Sequence, residues 1–351
     1  MTCVQPDRSS DAARPTFSLV IPTFRRPELV AQAVESALRQ TRPFDQVVVV
    51  ADGTDDPAIS ALDRSSAEVI AIDKAGVAAA RNAGVDRSST DWVCFLDDDD
   101  LLHPQYLELV ESEVLAAPTI GAMNAEFWSF AADAGPDDEF SATTLDECLQ
   151  AIRTAIPKKD LGYLEIEGRS FDLLLERMRG SMSTTAVRRD LLVRAGGFPH
   201  GMITAQDWAM YVNVARLTEW RVVHHRLAFF RDHANTITRT GSAAKGLTAL
   251  RVIRSFWRPS ELPTPPHRPL DAYRPNYRHV LGWALRACWR ARDFRSYREA
   301  LVIARDILPR RVDRIRAAMP MWIQRGTRVL RRSTGHDRRP DSRERIRDAN
   351  V

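Results

Sequence analysis

From Phe17 onward, short apolar runs rich in Val and Ile alternate with stretches whose apolar positions recur at the period of a helix. The pattern predicts a strand over 17–21, a helix over 27–40, a strand over 46–51, a short helix near 57–64, a strand over 68–72, a helix over 76–86 and a strand over 92–96. Pro27 has the φ of a first helical turn, and Val30, Val34, Ala37 and Leu38 then share one face. The strands are nearly all apolar instead of alternating, as a parallel sheet with helices on both faces requires. This βαβαβαβ order makes an α/β, doubly wound half.

A helix is expected over 104–116, while the rest of 103–180 has no legible topology and holds a mixed insertion after Ala131. The stretch GSMSTTAVRRDLLVRAGGFP reads as a strand leading into a short helix closed by Gly196-Gly197. TAQDWAMYVNVARL is an amphipathic helix with Trp208, Tyr211, Val212 and Ala215 inward, and RVVHHRLAFFRDH is strand-like. A proline-rich connector over 259–275 precedes two helices within 277–308, broken near Asp293. Trp283, Leu285, Ala287 and Trp289 with Ala300, Ile303 and Leu308 form their expected shared face, and MPMWIQRGTRVLRR is a last basic amphipathic stretch. The polar leader 1–15 and the charged tail 333–351 are expected to be without fixed structure.

In a doubly wound sheet, ligands bind beyond the carboxyl ends of the strands. Three polar clusters fall there: Pro22-Thr23-Phe24-Arg25, Asp52-Gly53-Thr54-Asp55, and the run Asp97 to Asp100. Carboxylates converging from different strands repel one another unless a cation or ligand donors intervene. The bland alternative for the run is an acidic helix start, a role that suits Asp100 before Pro104.

Charge divides the chain. The net charge is +4, yet from Arg251 onward there are 25 Arg, no Lys and 10 acidic residues, which is +15 and leaves −11 for residues 1–250. An anionic lipid surface, an acidic partner or a plain solvated face would each suit the basic part. Its aromatic residues follow the helical period and form no stacking platform, which argues against nucleic acid. Trp283, Trp289 and Trp322 among arginines suit peripheral contact with an anionic membrane. The four cysteines form no CxxC pair, and no N-terminal apolar segment resembles a signal peptide. The expected location is the cytoplasm, with the inner face of the membrane as the place of any peripheral contact.

The segments LVIPTFRRPELVAQAVESALRQT, VVVVADGTDD, GVAAARNAGVDRSSTDWVCFLDDDDLLHPQYLE and LVRAGGFPHGMITAQDWAMYVNVA closely resemble the family 2 glycosyltransferases, inverting enzymes of GT-A fold. The resemblance covers roughly residues 16–240. It implies a Rossmann-like mixed sheet flanked by helices over 16–242, followed by a basic α-helical appendage over 243–332. It further implies that Asp52 holds the nucleoside, although Ala51 stands where the family has a first acid. Pro22, Thr23 and Arg25 join the nucleotide site, and Arg81 of the Ala80-Arg81-Asn82 element approaches the diphosphate. Asp97-Asp98-Asp99 is the DxD motif, with Asp97 and Asp98 nearer ribose or sugar and Asp99 on a divalent metal, Mn²⁺ or Mg²⁺. Gln206-Asp207 matches the element that carries the catalytic base, with Asp207 the base, and His233 of FRDHANTIT reaches the metal or diphosphate.

The chemistry asks for these residue types in its own right. A departing nucleoside diphosphate gathers negative charge, which hard-oxygen ligands meet by recruiting a divalent cation. Inversion requires a base that takes the proton of the attacking hydroxyl, and a carboxylate held by a helix can act so. The expected activity is hexosyl or hexosaminyl transfer from a nucleotide-sugar donor to a glycan, lipid-linked or small-molecule acceptor in cell-surface glycan, glycolipid or polysaccharide synthesis. A nucleotidyltransferase would carry a Gly-rich phosphate loop after the first strand, and PTFRRPEL has no Gly. A non-catalytic sugar-nucleotide-binding protein is the other alternative, prompted by Ala51 and Gln206. His224 and His225 are adjacent on a strand and so are expected to point to opposite faces.

Overall fold

The computed structural model describes residues 14–131, 166–232 and 243–310, together with Arg314. The expected leader, the tail from Ser333, Trp322 and His233 lie outside the described residues. The first half runs β1 (Phe17–Thr23), α1 (Pro27–Leu38), β2 (Gln46–Ala51), α2 (Ala58–Ala61), β3 (Glu68–Ala71), α3 (Val77–Arg87) and β4 (Trp92–Phe95). Next come β5 (Leu101–Leu102), α4 (Tyr106–Ala116), β6 (Ala122–Ala131), α5 (Phe171–Glu176), β7 (Ala186–Arg188), α6 (Arg189–Arg194), α7 (Gln206–Ala215) and β8 (Trp220–Asp232). Three helices end the described chain: α8 (Ala243–Ser255), α9 (Arg274–Arg290) and α10 (Phe294–Ile307).

One eight-stranded sheet has the order β3-β2-β1-β4-β7-β6-β8-β5. β3, β2, β1 and β4 are parallel, β7 runs antiparallel to both β4 and β6, and β8 is parallel to β6. The chain leaves β1 toward β2 and β3 on one side and returns to β4 on the other. The carboxyl ends of β1 and β4 therefore flank a topological switch point, the usual crevice of such sheets.

Alternate strand residues feed two cores. Leu19, Ile21, Val47, Val49 and Cys94 pack with α1 and α4 on one face, while Val20, Val48, Val50, Val93 and Phe95 face α3 and α7 on the other. α3 lies so close to β1 that a Cβ on Gly84 would sit 2.3 Å from Val20 Cγ1.

The second core also takes in Leu247, Leu250 and Ile253 of α8, Tyr277, Leu281 and Leu285 of α9, and Ile303 and Ile307 of α10. Trp208 meets Phe256 edge-on at 5.6 Å, and the Tyr277 hydroxyl donates to the Leu175 carbonyl at 2.5 Å. The C-terminal helices thus pack on α5 and α7 and extend the core on that side of the sheet. α8 lies inside the region 243–332 expected to be helical, although its own bounds were not read from the sequence. Its place explains Gly246, since a Cβ there would come within 2.6 Å of Ala284 Cα. β6 was not expected, although it sits between β7 and β8.

One local expectation fails. The helix after the acidic run begins at Tyr106 with no side-chain cap, so Asp100 does not open it. The β6–β8 ladder shifts register between Ala125 and Glu126, passing from Val223 to Arg226, and His224 and His225 are both exposed there.

Candidate active site

The acidic run leaves β4 as a turn whose four carboxylates have separate partners. Asp97 Oδ1 accepts from Arg81 Nη2 at 2.5 Å. Asp98 Oδ2 accepts from the Thr23 hydroxyl at 2.9 Å, and Asp98 Oδ1 and Asp99 Oδ2 each lie 3.0 Å from Arg26 Nη1. Asp98 and Asp99 thus share one cation, because the strand alternation stops at Phe95 and the turn brings both to Arg26. Burial, and next the charge of Asp99, push the Asp98 pKa up to about 7.

Asp100 is the buried hub of the turn. It accepts from the Ser183 hydroxyl at 2.5 Å and from the Arg231 backbone N–H at 3.0 Å. Ser183 Oγ in turn accepts from the Asp97 N–H at 3.2 Å, and Arg231 Nε donates to the Asp99 carbonyl at 2.8 Å. The topology makes this possible. β7 is antiparallel to β4, so the 3-10 turn Met182–Thr184 before it meets the end of β4, while β5 pairs with β8 just before Arg231. Burial, and next the charge of Asp99, hold the Asp100 pKa well above the ordinary carboxylate range.

Arg81 enters from α3 and is buried, with Nε and Nη1 making no hydrogen bond among the described residues. Burial works against its charge, but Asp97 and then Asp207 outweigh it and raise the pKa. The next residue, Asn82, clamps the loop after α6 by accepting from the Phe198 N–H at 2.8 Å and donating to its carbonyl at 2.7 Å. Asp207 lies in the first turn of α7, half-buried, and accepts from the Trp208 N–H at 2.8 Å. Desolvation raises its pKa, and Arg81 is the main influence in the other direction. Arg81 thus links the β4 acids to Asp207.

At the other rim, Asp52 is buried and accepts from the N–H groups of Ala75 and Gly76 at 2.7 and 3.0 Å, so it fixes the loop that opens α3. Pro22 and Thr23 end β1 beside Val50 and Ala51. Arg25 turns outward: its φ is 54°, its N–H goes to Asp56 and its guanidinium to Asp55. Arg26, not Arg25, faces the acidic turn. In the same strand-end loop, the Phe24 ring lies 3.8 Å from the Lys74 ammonium. Arg26, Ser183 and Arg231 were missed from sequence. For Arg26 a signal existed, since it belongs to the same strand-end loop.

No three His, Cys, Asp or Glu side chains are grouped to hold a metal ion among the described residues. Two carboxylates meeting at one cation still fit Mn²⁺ or Mg²⁺, which commonly bind through one or two carboxylates, with waters and substrate phosphates completing the shell. An all-protein cage does not fit.

Solved structures with this fold are GT-A glycosyltransferases. Residues 1–349 of S. aureus TarS in complex with UDP-GlcNAc align with a TM-score of 0.59 at 14% identity, covering 83% of this chain and 81% of that one. Mannosyltransferase PcManGT from Pyrobaculum calidifontis, in complex with GDP-Man and Mn²⁺, aligns at 0.50 and 17% identity, covering 91% and 81%. Residues 18–128 match the family model described as Glycosyl transferase family 2. Over that segment the chain is similar to the family 2 glycosyltransferases, and its fold is of the GT-A type.

Two curated relatives are each 32% identical over 117 residues, or 32% of this chain: the uncharacterized glycosyltransferase YwdF of Bacillus subtilis and the succinoglycan biosynthesis protein ExoO of Rhizobium meliloti. The matches span 43% and 34% of the length of those proteins.

Proposed function

We propose that the protein is an inverting, metal-dependent glycosyltransferase that moves a hexosyl or hexosaminyl group from a nucleotide-sugar donor to an acceptor hydroxyl in the synthesis of a cell-surface glycan, glycolipid or polysaccharide. The observation that carries this reading is the buried Arg81, electrostatically coupled to Asp97 on one side and Asp207 on the other. UDP-GlcNAc and GDP-Man in the TarS and PcManGT structures support a nucleotide-sugar donor, and the succinoglycan role in the name of ExoO supports a polysaccharide product.

In this reading Asp99, with Asp98 beside it, holds Mn²⁺ or Mg²⁺, which when bound neutralises charge on the diphosphate leaving group. Arg81 turns its two unpartnered nitrogens to the diphosphate. Thr23 and Asp97 border the donor, and Asp52 keeps the α3 loop in place beneath the nucleoside. Asp207 removes the acceptor proton as the hydroxyl attacks the anomeric carbon from the face opposite the leaving group. Burial suits it to this task, because a raised pKa makes a carboxylate a stronger base while leaving it ionised above that pKa. His233 is a further candidate ligand of the metal or diphosphate.

A thermal-shift panel of UDP-, GDP-, dTDP- and CDP-sugars, each with and without Mn²⁺, tests the donor class. Stabilisation by one nucleotide family, larger with Mn²⁺ and accompanied by release of its nucleoside diphosphate, is expected. Stabilisation without release under any acceptor would mark a binding protein, and a flat panel would contradict the proposal.

A further inference from the structure

We propose that the turn joining α9 and α10 docks on an anionic lipid surface. The apolar faces that a sequence reading would offer to a membrane are already used. Leu281, Leu285, Ala300 and Ile303 are buried in the core that the C-terminal helices share with the sheet, and Trp283 lies against α8 near Gly246. Among the described residues no helix is long and apolar enough to cross a membrane.

What remains outside is the turn. Trp289 is 65% exposed and Phe294 52% exposed, with their rings edge to face at 5.8 Å. Around them Arg290, Arg292, Arg295 and Arg298 are exposed, and none of the four is in an ion pair among the described residues. The acid within the turn, Asp293, is occupied, since its carboxylate caps α10 by accepting from the Ser296 N–H at 3.0 Å. Two aromatics in edge-to-face contact are thus accompanied on the same turn by four exposed arginines, of which Arg295 also feels the charge of Asp293.

Tryptophan favours the boundary between headgroups and acyl chains, and guanidinium groups bind phosphate oxygens at the same depth. Charge selects among occupants. Residues 315–351 contain 10 Arg against 4 acidic residues, so the chain's own C-terminal segment is repelled by this turn, as is the same turn of a second copy. An anionic membrane supplies both a place for the aromatics and the opposite charge.

The test is co-sedimentation of the full chain, without donor or metal, with phosphatidylcholine vesicles containing or lacking phosphatidylglycerol. The proposal expects binding to the anionic vesicles alone, weakened about tenfold in W289S/F294S and in R292Q/R295Q/R298Q. Thermal unfolding of each variant, expected to match wild type because the residues are exposed, separates lost binding from lost folding. If the aromatic variant binds as wild type does, the basic tail alone is responsible and the proposal fails. It also fails if wild type binds no vesicles, or if W289S/F294S instead dissolves a dimer. Since neither donor nor metal is present, the result is independent of the proposed transfer reaction.

Discussion

Arg26 stands where the proposed divalent cation would bind, and replacing it separates the electrostatics of the acidic turn from its folding. In Arg26→Gln a polar side chain is kept while the charge between Asp98 Oδ1 and Asp99 Oδ2, 3.0 Å from each, is removed. A pair of unit charges about 4 Å apart near a protein surface interacts by about 4 kcal/mol at an effective dielectric of about 20. The Arg26 side chain is 31% exposed, and solvent-exposed pairs contribute only about 0.2–1 kcal/mol, so about 1–2 kcal/mol is reasonable for both contacts together. That stabilisation belongs to the metal-free state and must be given up when a metal takes Asp99. The variant should therefore bind Mn²⁺ about tenfold more tightly in the absence of nucleotide, since about 1.4 kcal/mol is tenfold in affinity. Mn²⁺ titration followed by electron paramagnetic resonance measures this directly, with Asp99→Asn as the control that removes the site. The variant should also melt lower than wild type without metal and recover more when Mn²⁺ is added. An unchanged or weaker Mn²⁺ affinity in a folded Arg26→Gln would refute the reasoning.

Other outcomes follow from the same geometry. Gly84→Ala drives a Cβ to 2.3 Å from a fully buried Val20 methyl, and urea unfolding should show a loss of about 1–3 kcal/mol; an unchanged midpoint would mean that α3 shifts freely. Asp100→Ala strands the Ser183 hydroxyl and the Arg231 N–H, at about 1–3 kcal/mol each, whereas Asp100→Asn keeps one acceptor oxygen and should lose less in the same measurement. The acidic limb of the pH–rate profile should be displaced upward from that of an ordinary aspartate, because burial raises Asp207 and it acts only when ionised. Arg81→Gln removes the main influence lowering that pKa, so the limb should move to still higher pH; a shift in the acid direction would contradict this placement.

The parallel half of the sheet was readable because its strands are apolar throughout and Pro27 marks the start of α1 where it was expected. The acidic turn was also readable as a strand-end feature. Its internal partners were not, since Asp100 is met by Ser183 and Arg231, 83 and 131 residues further along the chain, and only the tertiary fold brings them together. The choice between Arg25 and Arg26 depended on one backbone angle, the positive φ of Arg25, which periodicity does not reveal. α8 was foreseen only as part of a helical region, and the reason for its glycine, the neighbouring helix α9, lies in the tertiary fold.

The most direct test of the account is the transfer rate of Asp207→Asn under chemistry-limited conditions, measured as nucleoside diphosphate release with the donor and acceptor that wild type uses. Donor binding, followed by thermal shift, should survive, because Asp207 is assigned to the acceptor proton and not to the donor. Release should fall about 10²-fold or more, the usual scale of general-base catalysis. Transfer at the wild-type rate by this variant would contradict the central claim.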